Sequence, residues 1–326
     1  MSHPRTSRHD PTRRALLCAG AALAAGPLIG SSAFAQDRYP SRPVEFIVPW
    51  GAGGGADQLA RRVGKLLEAE LGVSLPILNI PGATGNTGTA KLLSSPADGH
   101  TICIFIGDTM GTLAGGSARW KLADIVPLGV MIRQPSGLFV KADAKWQTFA
   151  DLVADSKTQE LKVGITGFGG PDEIHIVQMN QKGSKFRVVP FAAPGERYSS
   201  ILGGHADVLI EQAGDIRNFL DSKQMRPLVF FADQPQFGYE SVPLAKDFGF
   251  PIGISQFRSI VMRAGTDPKQ VAVMAAAIDK VARSEDFKKY LADELAFADS
   301  FIPTAQTGAF FEREFKTIEA SIPKKN

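Results

Sequence analysis

The apolar residues of this chain fall into short continuous runs and into longer stretches with helical spacing. The run from Pro43 to Pro49 is typical of a buried strand, whereas apolar positions between Asp57 and Leu71 recur every three or four residues until Gly72 ends the pattern. Strands are predicted at 43–49, 75–80 and 101–106, with helices at 57–71 and 89–93. Strands and helices that alternate in this way predict an α/β domain with a largely parallel sheet.

The same alternation returns after residue 160. Strands are predicted at 161–165 and 186–191, and helices at 173–181 and from 192–195 to Leu202. Two lobes of like architecture are the simplest interpretation of this repetition. Near the end, 267–291 has helical spacing with Pro268 suited to a first turn, and a last helix at 307–322 is predicted to pack through Phe310, Phe311, Phe315 and Ile318.

The first thirty-five residues have the three parts of a secretory signal peptide. Four arginines precede an apolar run at 15–25, and small residues lead to Ala33-Phe34-Ala35, so cleavage is predicted after Ala35. A transmembrane anchor is the alternative, but about a dozen strongly apolar residues precede Pro27, where roughly twenty are needed to cross a bilayer. Arg13-Arg14 resembles a twin-arginine signal, which leaves the export route open. The expected location is the periplasm.

Removal of this segment changes the charge balance. Residues 1–35 contain four of the thirty-six basic residues and one of the thirty-three acidic residues, so the remainder has thirty-two of each. Neutrality without a dense basic run argues against nucleic acid or an anionic membrane as the main partner. Cys103 is the cysteine that remains, so no intrachain disulfide is expected.

A glycine-rich loop, Gly51-Ala52-Gly53-Gly54-Gly55-Ala56, joins the first strand to the first helix. Its G-x-G-x-x-A pattern fits the dinucleotide fingerprint, but the next strand ends in Asn79-Ile80-Pro81 without the acidic residue that a ribose would need. Free N–H groups at a helix start also suit a small carboxylate, which glycine lets approach closely. For Asp57, the role of helix N-cap is favoured over ligand contact.

The sequence has few signs of a metal site or a catalytic nucleophile. His100, His175 and His205 remain after the signal peptide and show no metal-ligand spacing, and no G-x-S-x-G nucleophile motif occurs. No metal and no cofactor are therefore expected. Because a catalytic triad can assemble from distant residues, an exported enzyme stays open as an alternative.

Several motifs in order resemble the solute-binding proteins of tripartite tricarboxylate transporters, the Bug receptors. They are the segments 49–61, 79–88 and 97–101, then 166–170 with His175, then 189–191 and 202–207. The resemblance covers nearly the whole chain after the signal peptide. It implies a periplasmic binding protein type II-like (Venus flytrap) fold, with two α/β lobes joined by two crossover segments. Residues 36–136 and 250–326 would form the first lobe, and residues 137–249 the second.

The resemblance also implies a function. A small carboxylate would bind in the cleft, and this protein would deliver it to the membrane permease of the transporter. The protein would act as a monomer and would not be an enzyme. Asp207 matches an acidic position of the family, and its side chain would either contact the ligand or have a structural role. The residues expected at the ligand are Trp50, Gly51, Ala52, Gly53, Gly54, Gly55, Asp57, Gly82, Ala83, Thr84, Gly85, Asn86, Thr166, Gly167, Gly169, Gly170, Phe191, Ala192 and Asp207.

Two departures from the family pattern concern the ligand. Gly170 stands where a small hydroxyl residue is usual, followed by the acids of Pro171-Asp172-Glu173, and Ala192 stands where a lysine is usual. Positive charge is thus expected to be missing where the carboxylates of a citrate-like ligand would need it. The hypothesis is a monocarboxylate or an amino-containing ligand, or an aromatic one that stacks on Trp50, for which packing in the cleft wall is an equal alternative. A sensor that docks on a receptor kinase also stays open.

Overall fold

The computed structural model describes residues 39–191, 193–250 and 254–322. The predicted signal peptide at 1–35 and the predicted ligand residue Ala192 lie outside the described residues. Within the described part of the chain, none of the helices combines the length and the apolar composition needed to cross a membrane.

The first sheet has six strands in the order β11-β4-β10-β3-β1-β2. They are β1 (Glu45–Val48), β2 (Ile77–Asn79), β3 (Thr101–Ile106), β4 (Ile125–Gln134), β10 (Gln256–Arg263) and β11 (Ile302–Pro303). Strand β1 is parallel to β2 and β3, but β10 lies antiparallel between β3 and β4. The sheet is therefore mixed, and the prediction of a largely parallel sheet is wrong, because a strand from late in the chain enters its centre in the opposite direction.

The second sheet has five strands in the order β7-β6-β8-β5-β9. They are β5 (Ser136–Lys141), β6 (Leu161–Ile165), β7 (Phe186–Pro190), β8 (Val208–Gln212) and β9 (Met225–Phe230). Strand β6 is parallel to β7 and β8, whereas β5 is antiparallel to β8 and β9. The chain crosses from the first sheet to the second between β4 and β5 and returns between β9 and β10. The lobe boundaries at 136/137 and 249/250 stay predictions.

Helices cover both sheets. The first lobe, defined by the first sheet, carries α1 (Gly55–Leu71), α2 (Asn86–Ser94), α3 (Gly107–Ala114), α8 (Pro268–Ala282), α9 (Glu285–Asp293) and α10 (Thr304–Ser321). The second lobe, defined by the second sheet, carries α4 (Phe149–Thr158), α5 (Pro171–Gln181), α6 (Pro194–Leu202) and α7 (Arg217–Asp221). The single helix predicted at 267–291 is two helices, because Ser284 caps a new one by accepting a hydrogen bond from Phe287 N at 3.2 Å.

Each sheet is packed on both faces. On β1, Phe46 and Val48 join the core beneath α1 and α8, whereas Ile47 joins the core beneath α10. Phe310, Phe311 and Ile318 of α10 are buried there with Phe315 packed against them, as the helical spacing predicted. Burial of such a side chain contributes about 1.5–3 kcal/mol, so the two faces of β1 rigidly support the glycine loop that follows it.

Candidate ligand-binding cleft

The two lobes meet around a small cavity at the ends of their central strands. The cavity measures about 30 Å³, space for roughly two water molecules. The first lobe lines it with Trp50, Gly54, Gly55, Ala56, Ile106, Asp108, Gln256 and Arg258. The second lobe lines it with Thr166, Pro194, Arg197, Glu211, Gln212 and Asp215. Strands β1, β3, β6 and β8 all end there, which is the usual position of a ligand in an open α/β sheet.

The glycine loop turns directly into α1, whose first residue is Gly55. Gly54 is the N-cap in an extended conformation, so the prediction of Asp57 as the N-cap is wrong. Asp57 instead reaches back from the first turn and accepts hydrogen bonds from Gly53 N and Arg61 Nε, both at 2.9 Å, and from Asn79 Nδ2 at 3.0 Å. Burial opposes ionisation, but these bonds outweigh it and lower the pKa of Asp57. The buried Asp57 therefore holds the shape of the loop.

Glycine is required where this loop faces the second lobe. A Cβ on Gly54 would lie 2.6 Å from Pro194 Cγ, and one on Gly55 would overlap the Asp215 carboxylate and the Arg258 guanidinium. The first residue of α1 therefore lies in direct contact with the side chains of Asp215 and Arg258.

The second predicted loop, Gly82–Asn86, holds its own shape and does not line the cavity. Ala83 and Thr84 have φ angles of 47° and 52°, in the left-handed region. Asn86 Nδ2 donates to Ala83 O at 2.9 Å and to Thr112 Oγ1 at 3.0 Å, and Trp120 Nε1 donates to Asn86 Oδ1 at 2.8 Å. With its amide engaged within the first lobe, Asn86 acts as a brace for the loop.

Of the predicted ligand residues, Trp50, Gly54, Gly55 and Thr166 line the cavity. The other predicted residues that the structure describes are not among those that line it. Thr84 meets the second lobe at Gly167, where a Cβ would lie 2.6 Å from Thr84 Cγ2. The carbonyl oxygen of Phe191 accepts a hydrogen bond from Arg197 Nη1 at 3.3 Å. Asp207 accepts a hydrogen bond from Lys162 N at 2.8 Å. The contacts of Asp207 are therefore within the second lobe.

Charged residues that the sequence did not indicate dominate the cavity wall. Arg258 on β10 forms an ion pair with Asp215, which follows β8, and this pair joins the two lobes. Arg197 on α6 forms a second ion pair with Glu211 on β8, and Tyr198 Oη donates to Glu211 at 3.2 Å. All four side chains are at least nine-tenths buried. The cleft therefore contains two arginines that the departures at Gly170 and Ala192 did not indicate, although each already has a carboxylate partner. The expectation that positive charge is missing at those two positions stays a prediction.

Acids nevertheless outnumber bases at the junction of the lobes. Asp108, just after β3, accepts a hydrogen bond from Gln256 Nε2 at 2.5 Å, and its other oxygen is buried without a partner among the described residues. Asp172 in the second lobe accepts from Ser136 Oγ at 2.6 Å and likewise has one unpartnered oxygen. Burial raises the pKa of Asp108 to about 6, and burial together with the charge of Asp108 raises the pKa of Asp172. The cleft is therefore short of positive charge.

A family model for the "Tripartite tricarboxylate transporter family receptor" matches residues 59–325. The chain belongs to this family. The resemblance predicted from the motifs is thereby confirmed. Because the family consists of solute-binding receptors, the prediction that the protein is not an enzyme is confirmed as well.

Individual relatives of this receptor agree with the assignment. Protein BugT of Bordetella pertussis is 26% identical over 260 residues, which cover 76% of this chain and 79% of BugT. A TctC solute-binding protein from Polaromonas is 28% identical with a TM-score of 0.64, over 88% of this chain and 100% of that one. MatC from Rhodopseudomonas palustris, solved with bound malate, is 21% identical with a TM-score of 0.80, over 87% and 100% of the two chains. The receptor therefore has the two-lobed Venus flytrap fold that the sequence predicted.

Proposed function

We propose that this protein is a periplasmic receptor that binds a small organic carboxylate between its lobes and delivers it to the membrane permease of a tripartite tricarboxylate transporter. The observation that carries the proposal is that the start of α1 lines the small cavity at the junction of the lobes, because its first N–H groups have no acceptor within the helix and no side-chain cap. The carboxylate bound by the related MatC supports the class of ligand. The signal peptide predicted at 1–35 supports export.

Binding would proceed by separation and closure of the lobes. A cavity of about 30 Å³ has no room for a solute the size of malate, so the ligand enters when the lobes part. Two crossover segments, between β4 and β5 and between β9 and β10, would act as the hinge. The ligand stabilises the closed form because it contacts both lobes at once, and the permease would recognise that form. No covalent bond changes, so no cofactor is needed.

The ligand hypothesis from the sequence is retained in this proposal. A monocarboxylate or an amino-containing acid fits a wall in which Arg197 and Arg258 already have partners better than a polyanion such as citrate does. Trp50 lines the cavity and is also part of the first-lobe core, 5% exposed, so stacking on an aromatic ligand and packing in the cleft wall stay equal alternatives. We expect the receptor to act as a monomer, without nucleic acid as a partner.

A thermal-shift screen of small organic acids tests the proposal. A ligand at one hundred times its Kd stabilises the folded state by about 2.7 kcal/mol, which raises the melting temperature by several degrees. Incubation with the identified ligand should leave it chemically unchanged, whereas an enzyme would convert it. Failure of every carboxylate to shift the melting temperature would refute the proposal.

Deletion of the gene separates transport from sensing. A receptor that serves the permease is needed for uptake of labelled ligand even when the transporter is expressed from a constitutive promoter. A sensor that docks on a receptor kinase would be needed only for induction, so uptake would survive under that promoter.

A further inference from the structure

We infer that the cross-lobe ion pair between Arg258 and Asp215 occupies the place of a zwitterionic ligand, so the receptor selects solutes that carry both a carboxylate and an ammonium group. The inference rests on the proposed function, because it specifies the ligand of that same cleft. It assigns the ligand carboxylate to Arg258 and the start of α1, and the ligand ammonium to Asp108 and Asp215.

The Asp215 carboxylate lies where a ligand carboxylate is expected. A Cβ placed on Gly55, the first residue of α1, would overlap both Asp215 oxygens and Arg258 Nη2. The N–H groups in the first turn of a helix have no acceptor within the helix and attract anions. One Asp215 oxygen is buried without a hydrogen-bond partner among the described residues, so the protein's own carboxylate satisfies this position only in part.

Arg258 is held independently of Asp215. Its Nη1 donates to Gln134 Oε1 at 2.5 Å, and its Nη2 donates to Gln212 Oε1 at 3.2 Å. These glutamines come from the two different lobes, at the ends of β4 and β8. The guanidinium is thus positioned to exchange the Asp215 carboxylate for one from the ligand, which its planar set of donors can bind in the same way.

The charges on the cavity wall decide which ligand can make this exchange. Three carboxylates, Asp108, Glu211 and Asp215, face two guanidiniums, Arg197 and Arg258. A dicarboxylate that displaced Asp215 from Arg258 would leave the aspartate buried beside another negative charge, a situation that is strongly unfavourable. A zwitterion supplies an ammonium group for the displaced aspartate, so every buried charge keeps a partner.

Asp108 provides a second acceptor for the ammonium group. One of its oxygens is fixed by Gln256, and the other is buried, has no partner among the described residues and belongs to a side chain that lines the cavity. Asp108 and Asp215 belong to different lobes, so an ammonium group between them would hold the lobes together as the ion pair does here. The ligand would therefore be a small amino acid, whose two charged groups lie close to each other.

Calorimetry with matched pairs of solutes tests the inference. The pairs are L-alanine and propionate, L-aspartate and succinate, and L-phenylalanine and 3-phenylpropionate, in which the first member adds only the ammonium group. We expect at least one amino acid to bind, with its partner weaker by roughly a hundred-fold or more. Equal or tighter binding of the partner would overturn the inference and leave the proposed function intact. Binding by neither class would also overturn the inference, and the thermal-shift screen would then decide the proposed function separately.

Variants of the two aspartates locate the ammonium group. Asp108→Asn and Asp215→Asn should each weaken amino acid binding by about ten-fold or more and should weaken binding of the matched carboxylate less, or improve it, because a negative charge is removed. Asp279→Asn, the same change in an ion pair on the surface of α8, is the control and should alter neither affinity. Circular dichroism verifies folding. Equal losses for both members of a pair in folded variants would contradict the assignment.

Discussion

Substitution of Gly111 by alanine should disfavour closure of the lobes while the protein stays folded. Gly111 lies in α3 and faces Gly169 in the loop after β6 of the second lobe. A Cβ at this position would overlap the Gly169 carbonyl oxygen and would lie 2.5 Å from its carbonyl carbon. Contacts below 3.0 Å are essentially never made by a real Cβ, and the obstacle is backbone, which cannot rotate away as a side chain can.

The geometry sets the size of the effect. Ordinary contact begins near 3.4 Å, so the carbonyl oxygen of Gly169 must withdraw by more than about 1 Å in a tightly packed interface. Overpacking of this kind costs about 1–3 kcal/mol. Because the cost falls on the closed form, ligand affinity should fall by about 5-fold to 150-fold. The helix itself should gain up to about 1 kcal/mol from replacement of glycine by alanine.

Gly308→Ala is the matched control. Gly308 lies in α10 of the same lobe, and a Cβ there would meet nothing within 4 Å. Calorimetry should find weaker ligand binding in Gly111→Ala alone, and small-angle X-ray scattering with ligand present should give it the larger radius of gyration. If Gly111→Ala bound ligand as tightly as Gly308→Ala and scattered identically, the contact between α3 and the Gly169 loop would not belong to the binding form.

Other side chains of the cleft lead to separate expectations. Trp50 is the one of the three tryptophans that lines the cavity, so ligand should change the fluorescence of the protein, and Trp50→Phe should abolish that change while calorimetry still detects binding. Arg197→Met leaves Glu211 buried without its ion-pair partner, so urea denaturation should show a loss of about 3–5 kcal/mol in the free energy of unfolding. The double variant with Glu211→Leu should recover most of that loss, and an equal loss in both variants would contradict this expectation. Burial raises the pKa of Asp108 from 3.8 to about 6. Protonation of Asp108 therefore stabilises the folded state fully below pH 3.8, and this stabilisation is lost as the pH rises through about 6. From about pH 5 to about pH 7.5 the urea midpoint should therefore fall more in the wild type than in Asp108→Asn, and parallel curves would refute the assignment.

Local patterns predicted the elements of the fold well. Strands β3 and β6 have the bounds that the sequence predicted, because each is a short segment, buried throughout in β3 and at all positions but Lys162 in β6, with a clear break at its ends. The orientation of β10 was beyond such patterns, since it depends on a pairing with β3 more than a hundred residues earlier in the chain. The start of α1 was missed by two residues because an acidic residue suits both the N-cap and the third helical position.

The candidate site was predicted in part. The glycine loop carries a local signature, so Gly54 and Gly55 were found at the cavity. Arg258 and Glu211 lie inside strands whose other residues are mostly apolar, and nothing local shows which ends of strands will face each other across two lobes. A charged residue in a continuously buried strand was nevertheless a usable signal, because such a residue is rarely buried without a partner.

The ligand hypothesis now depends on a different physical argument from the one that first suggested it. The sequence analysis relied on missing positive charge at two positions, Gly170 and Ala192. The inference from the structure relies instead on the carboxylates of the cleft, which outnumber its two arginines. The chain after residue 35 is neutral, so long-range attraction cannot provide this preference. Exposed charges a few ångströms apart contribute at most about 1 kcal/mol, whereas loss of one partner from a buried pair costs several times as much. On the inference drawn above, selection of the ligand would depend on burial of Asp108 and Asp215 at the junction of the lobes, where closure itself removes the water that would otherwise screen an unmatched charge.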